Sequence, residues 1–335
     1  MMVKRFGVSR GVSPRESFAQ VGEIAEKVEE LGFEALWFID HQLGMKDVYA
    51  AMNVSAMATE TIEIGCAVTN LRTRHPTVTA NATTALYELS DGRALLGLGA
   101  GWIAVHSIGE KPNRIAELRE GIEQFRRLFS GEEVDFSGTQ GRLATARGQI
   151  PIYLAVSQPR MLELAGEVCD GAILMGAADP DFCDWQIEHI YRGLQKAGRR
   201  REDIVIDLIV TMSIDEDADR ALGDVRAWAT SQAATFAVWK TMPPGWERFR
   251  PEFKAAQDAY HYEEHLSLRA GHKEIVSEEF VRSVTISGDR EQCLARLLEL
   301  APVDIDRISF ALLSGGRLRR LEELGRHVIP RLKAN

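Results

Sequence analysis

The chain is expected to fold as a closed (β/α)8 barrel, the TIM-barrel class of α/β fold. Three observations point there. Short apolar runs alternate with longer amphipathic stretches roughly eight times along the 335 residues, the pattern of a parallel sheet with helices outside. The length exceeds the about 250 residues such a barrel needs and leaves about 80 for insertions. Glycine and polar residues gather where the apolar runs end, which in this class is where chemistry sits. A doubly wound open sheet can hold as many units and stands as the alternative architecture.

The elements follow in order. "RFGVS" (5–9) reads as the first strand. Residues 13–33 read as a helix, with Ser13 as cap, Pro14 in the first turn and Gly32 at the end. "ALWFI" (35–39) is the second strand, a helix is expected near 47–59, and "IEIGCAV" (62–68) is the third strand. A helix over 77–89 leads to the strand "RALLGLG" (93–99). The helix over 113–131 shows clear 3.6-residue spacing, and 134–146 has hairpin character around Gly138 and Gly141. Then come strand 150–156, helix 159–168, strand 170–175 and a helix over 180–198. Strand 203–214 and helix 216–238 precede an aromatic, charged and proline-broken stretch, 239–288, read as an insertion of short helices over one end of the barrel. Helix 289–300, strand 307–313 and helix 317–333 close the chain. The whole chain, 1–335, is expected to form a single barrel domain.

Composition narrows the function. A net charge of -9 speaks against nucleic acid as a partner, since phosphate binding needs a basic footprint. No apolar run approaches the ~18 residues of a membrane span. The N-terminal "MMVKRFGVSRG" lacks the apolar core of a signal peptide. Cys66, Cys169, Cys183 and Cys293 are scattered and make no CxxC pair, as in a reducing compartment. These readings together imply a cytoplasmic protein.

Candidate chemistry is taken from the strand ends. Asp40-His41 closes the second strand. The histidine can exchange a proton near neutral pH, and Asp40 can orient it or bind a ligand hydroxyl. A polar pair that merely ends a strand is the plain alternative. Gly97-Leu98-Gly99-Ala100-Gly101 lacks the third glycine of GxGxxG, so it fits a tight turn as well as a ligand approaching the backbone. Ser157-Gln158-Pro159 opens a helix whose N–H groups suit an anion, although a plain serine cap reads the same way. "HYEEH" (261–265) matches an inverted zincin pattern, but it lies in the insertion without an evident third ligand, and a solvated helix face explains it. No resident metal is expected.

Four stretches, "GFEALWFIDH", "TETIEIGCAVTNLRTRHP", "ELSDGRALLGLGAG" and "IPIYLAVSQPRMLELAGEVCDGAIL", together resemble the bacterial-luciferase-like superfamily, closest to its deazaflavin branch. The resemblance covers about 5–215 and is compatible with the last strand and its flanking helices. It implies a luciferase-like (β/α)8 barrel that uses coenzyme F420, with FMN in other branches, and a homodimer acting on a small-molecule or peptide substrate. The F420 branch holds reductases and dehydrogenases; the FMN branch holds monooxygenases.

The resemblance also implies a site. The third strand would end in a bulge with a non-proline cis peptide at Ala67-Val68, backing the cofactor ring. Thr69 and Asn70 would continue that wall. Asp40 would lie near the hydroxylated end of the ring, with His41 beside ring or substrate as proton donor or polarising group. Gly99, Ala100 and Gly101 would pass close to the cofactor side chain. Ser157, Gln158 and Pro159 would place a helix N-terminus near its phosphate, and Gly176 would leave room for it. Arg72 and Arg74 would meet its acidic tail, and surface salt bridges explain the two arginines equally well. The archaeal methylenetetrahydromethanopterin reductases carry a carboxylate just after the first strand, where this chain has Ser9. That departure directs the expectation to another F420-dependent reduction, of an activated C=C, C=N or carbonyl group. The alternatives are an FMN-dependent monooxygenase on the same fold and, from another class, a zinc hydrolase using His261 and His265.

Overall fold

The computed structural model describes residues 5–259, 275–312 and 316–334. The chain runs β1 (Arg5–Arg10), α1 (Phe18–Glu30), β2 (Ala35–Phe38), α2 (Val48–Ala58), β3 (Glu63–Cys66), α3 (Pro76–Leu89) and β4 (Ala94–Leu98). A short α4 (Ile103–His106) and a long α5 (Ile115–Ser130) precede the antiparallel hairpin β5 (Val134–Phe136) and β6 (Thr139–Gly141). Next are β7 (Ile152–Val156), α6 (Pro159–Val168), β8 (Gly171–Leu174), α7 (Pro180–Lys196), β9 (Val205–Ile214) and α8 (Ala218–Phe236). The last third holds α9 (Arg250–Ala259), α10 (Glu278–Val284), β10 (Thr285–Gly288), α11 (Arg290–Glu299) and β11 (Arg307–Ala311). From α12 (Arg317–Glu323) the chain passes through a π turn, Leu324–Val328, into α13 (Ile329–Ala334).

Eight strands close into a parallel ring in the order β1, β2, β3, β4, β7, β8, β9, β11 and back to β1. The open-sheet alternative is thereby set aside. Sequential strands pair in parallel through helical crossovers, which bury both faces of the sheet. Outward residues such as Phe6, Leu36, Phe38, Leu96 and Leu154 pack under the helices in the main core.

Two expectations need correction. The first helix starts at Phe18, so Ser13 is not its cap. Ser17 caps it instead, its hydroxyl accepting from the Gln20 N–H at 3.2 Å while the Gln20 side chain accepts from the Ser17 N–H at 2.8 Å. That reciprocal box satisfies two end donors at once, which Ser13 and Pro14 cannot do. The second correction concerns 239–288. Its last four residues are strand β10, paired in parallel with Thr211–Ile214. The β9 strand is longer than the ring requires, and its overhanging end recruits β10 as a ninth strand beside the ring.

The described part of the insertion is a second, aromatic core rather than a loose flap. Phe182, Phe236, Trp246, Phe249, Phe253 and Phe280 are all buried together. The Phe182 and Trp246 rings meet edge to face with centroids 4.6 Å apart, a geometry aromatic pairs favour. This cluster ties α8, α9 and α10 to the start of α7.

Candidate active site

The barrel interior explains why a cavity exists. Because strand side chains alternate, every second residue points inward. At the mid-height these are Trp37, Leu95, Tyr153 and Ile173, a buried cluster. Gly65 and Gly171 make room for its rings. A Cβ at Gly65 would lie 2.5 Å from Trp37, and one at Gly171 would lie 2.1 Å from Tyr153. Nearer the amino-terminal end, Arg307 is fully buried and paired with Asp207 and Glu63. The indole of Trp37 donates to the same Asp207 oxygen at 2.8 Å.

Toward the carboxyl ends the inward positions become small: Ser9, Ala67, Ala155 and Ala311. The space they leave is a cavity of about 210 Å³. Ile39, Val68, Met175, Ile209 and Thr211 complete its wall, with Trp228 reaching over from α8. No ionisable side chain is among the described residues that line it.

The wall formed by β3 is built from the backbone outward. The Ala67-Val68 peptide is cis. The expected strand to residue 68 therefore stops at Cys66, and the chain resumes pairing at Thr69, opposite Leu98. The Thr69 N–H donates to the Gly97 carbonyl and the Gly99 N–H to the Thr69 carbonyl, both at 2.9 Å. Glycine on β4 permits this approach. A Cβ at Gly97 would sit 1.9 Å from the Cys66 carbonyl oxygen, and one at Gly99 would sit 2.6 Å from Val68. Gly101 adopts a left-handed φ of 84° against Asn70. The "GLGAG" run is thus a bed for the bent end of β3, with no resemblance to a nucleotide loop in its path.

Asp40 sits behind this wall and is 5% exposed. It accepts a hydrogen bond from the Thr69 hydroxyl at 2.8 Å and is clasped by both terminal nitrogens of Arg74. Arg74 in turn lies over the Tyr49 ring, 5.2 Å from its centroid. Burial works against the charge on Arg74, but the hydrogen bond and charge of Asp40 outweigh it and raise its pKa. Burial, and then the Asp40 charge, push the Cys66 thiol well above its ordinary range. The guanidinium of Arg74 is committed inward, and that of Arg72 pairs with Glu117 at 2.7 Å. Of the two readings of these arginines, the salt-bridge one describes Arg72, and Arg74 is paired too, with a carboxylate that is buried rather than at the surface.

His41 follows Asp40 but does not line the cavity. Its Nδ1 accepts the Gly44 N–H at 3.0 Å, which leaves the proton of the neutral ring on Nε2. At α6 the cap residue is Gln158, not Ser157, and no side chain caps the end. Gln158 instead donates to the Thr241 carbonyl at 3.2 Å, joining the end of β7 to the insertion. The room at Gly176 is used by Phe182, whose ring would lie 2.5 Å from a Cβ there. The "HYEEH" stretch lies outside the described residues. Among the described residues no group of three His, Cys, Asp or Glu side chains is placed to hold a metal ion. No described helix is long and apolar enough to cross a membrane.

Of the candidates read from the sequence, Ala67 and Val68 line the cavity, while Asp40, Thr69, Asn70 and the β4 glycines stand behind or beside that wall. The strand-end reading did not single out Ile39, Ala155, Ile173, Met175, Ile209, Thr211, Trp228 or Ala311. A period-two reading of each strand reaches those on strands, because alternate residues face the barrel interior. Trp228 carries no such signal, since it comes from a helix.

The family model described as "Luciferase-like monooxygenase" matches residues 2–306. The 5,10-methylenetetrahydromethanopterin reductase of Methanolobus tindarius is 31% identical over 307 residues, covering 88% of this chain and 90% of that protein. The F420-dependent glucose-6-phosphate dehydrogenase of Nakamurella multipartita is 26% identical, covering 94% of this chain and 93% of its own. The solved coenzyme F420-dependent tetrahydromethanopterin reductase from Methanopyrus kandleri superposes with a TM-score of 0.81 at 23% identity. That match covers 98% of this chain and 99% of the other, and it speaks to the fold.

Proposed function

The chain belongs to the luciferase-like family, and we propose that within it this protein is a coenzyme F420-dependent oxidoreductase. Bound F420 supplies a two-electron hydride carrier that reacts poorly with oxygen. The observation that carries the reading is the cavity at the carboxyl ends of the strands, backed by Ala67 and Val68. Its apolar, uncharged surface fits a flat ring. The relatives point the same way, as reductases and an F420-dependent dehydrogenase rather than oxygenases.

The residues divide the work by position. Ala67 and Val68 would support the ring within a cavity that Ser9 and Thr211 also line. Asp40 and Thr69, locked by Arg74, fix the polar edge of that wall, with Asn70 continuing it. Gly99, Ala100 and Gly101 flank the cofactor side chain, and the uncapped end of α6 at Ser157, Gln158 and Pro159 receives its phosphate, with Gly176 beside it. The mostly apolar lining would disfavour water beside the ring. His41, with its proton on Nε2, is the proton donor of this reading; full turnover by His41→Ala removes it from the mechanism. The electron acceptor or donor is an organic molecule with an activated C=C, C=N or carbonyl group. Ser9 cannot act as the acid a carboxylate would be, which favours such a substrate over a pterin. The insertion shapes the substrate side through α8 and Trp228. A cytoplasmic homodimer completes the reading.

The test is equilibrium titration of the purified protein with F420 and with FMN, followed by fluorescence. Saturable F420 binding without FMN binding is expected. FMN binding accompanied by oxygen consumption overturns the reading in favour of a monooxygenase.

A further inference from the structure

We infer that Thr211 is the polar anchor for the substrate, and that the part of the substrate entering this cavity is uncharged and carries a hydrogen-bonding oxygen. The inference rests on the proposed oxidoreductase reading and narrows its substrate class.

Thr211 lines the cavity and is 2% exposed. Its Oγ1 has no hydrogen-bond partner. A buried hydroxyl left without a partner costs about 1–3 kcal/mol, so such a group in a cavity wall marks a place where a ligand completes the bond. Thr83 and Thr230 on helices, and Thr285 just after α10, return their hydroxyls to the carbonyl four residues back, at 2.8, 3.0 and 2.7 Å. Thr211 lies inside strand β9, with no helical turn before it to offer that partner.

Its backbone is also paired with two other strands. Thr211 is the residue at which β9 pairs both with Ala311 of β11 and with Thr285 of β10. A polar group on so rigid a seat is well placed to orient a ligand. Ser9, paired with Ala311 on the other side, adds the second hydroxyl of the wall.

The remaining lining selects by exclusion. Ile39, Ala155, Met175, Ile209 and Trp228 offer no counter-charge. A carboxylate or phosphate drawn in here would lose its hydration with only hydroxyls in return, a large penalty. A ketone, aldehyde, enone or alcohol loses little and gains the Thr211 bond.

The test uses 2-cyclohexen-1-one as neutral probe, cyclohexene as its oxygen-free control and cyclohex-1-ene-1-carboxylate as the charged one. Binding is measured by calorimetry with and without F420, on wild type, Thr211→Val, Thr211→Ser and Ser9→Ala. Thr211→Val keeps the shape and removes the hydroxyl. The enone should bind wild type and Thr211→Ser alike and Thr211→Val about tenfold more weakly. Cyclohexene should not distinguish the variants, and the carboxylate should not bind. The inference is overturned if the enone fails to bind wild type, if Thr211→Val binds it undiminished, or if the carboxylate binds as well as the enone. Failure of F420 to bind instead strikes the oxidoreductase reading, and the probe results without cofactor still decide the role of Thr211.

Discussion

Arg74 grips Asp40 from behind the β3 wall: Nη2 lies 3.3 Å from Oδ1, Nη1 bonds Oδ2, and the Thr69 hydroxyl donates to that same Oδ2. Strand ends two and three are thereby joined through side chains as well as through the Ala67 N–H bond to the Phe38 carbonyl. Removing Arg74 leaves a nearly buried carboxylate with only the threonine. Arg74→Met is expected to lower stability by about 2–3 kcal/mol in urea unfolding, below the full range for buried pairs because Arg74 keeps some exposure. F420 affinity should fall about tenfold, and Arg74→Lys should recover only part of it, since lysine cannot bond both oxygens at once.

Gly97 is expected to tolerate nothing larger. A methyl there collides with the Cys66 carbonyl, and backbone on both sides prevents an easy shift. Gly97→Ala should cost about 3 kcal/mol or more, at the upper end for overpacking, and should displace the Ala67-Val68 wall. Thermal unfolding and F420 titration check both parts. A variant of unchanged stability and affinity would show that β3 and β4 do not approach as described.

The buried Arg307 has a testable sign. Arg307→Met strands Asp207, which the Trp37 indole and the Ser309 hydroxyl cannot neutralise. The expected loss is about 3–5 kcal/mol. Adding Asp207→Leu to the same chain should return part of it, because the isolated charge is then gone. Equilibrium unfolding of the single and double variants measures the difference; a double variant less stable than the single one contradicts the account.

Asp215 gives a pH dependence. The Arg220 hydrogen bond holds its carboxyl down to about 2 from an ordinary 3.8, with Arg319 adding to the effect. A carboxyl depressed on folding stabilises the native state above its ordinary range and loses that contribution as pH falls toward its folded value. Wild type should therefore melt above Asp215→Asn at pH 7, and the gap should close between about pH 4 and 2. The exposed arginines keep the effect modest. A gap that widens on acidification would refute it.

Much of this architecture is legible in the amino-acid order because periodicity and barrel geometry constrain the same residues. The alternation of "ALWF" or "IYLAV" with long amphipathic stretches gives the ring, and the strand-end rule leads to Asp40 and Thr69. The Ala67-Val68 bond was expected from resemblance to a family, not from spacing, because no local pattern distinguishes a bent strand end from a straight one. β10 escaped because "TISG" is short and half polar; only the overhang of β9 makes it a strand. Arg74 looked like a surface residue in a polar run, since its partner lies 34 positions away. Helix α1 began four residues late because a closer serine completes a two-way cap.

The charged layer of Arg307, Asp207 and Glu63, with Trp37 and Tyr153 above it, makes the cavity a blind well. A floor on one side of the described residues leaves ligands to enter from the carboxyl ends of the strands, and that imposes a queue. Whatever lies deeper must arrive first and depart last, so two ligands sharing this space bind in a fixed order rather than at random. Product-inhibition patterns would register that order, and a random pattern would mean that the floor opens.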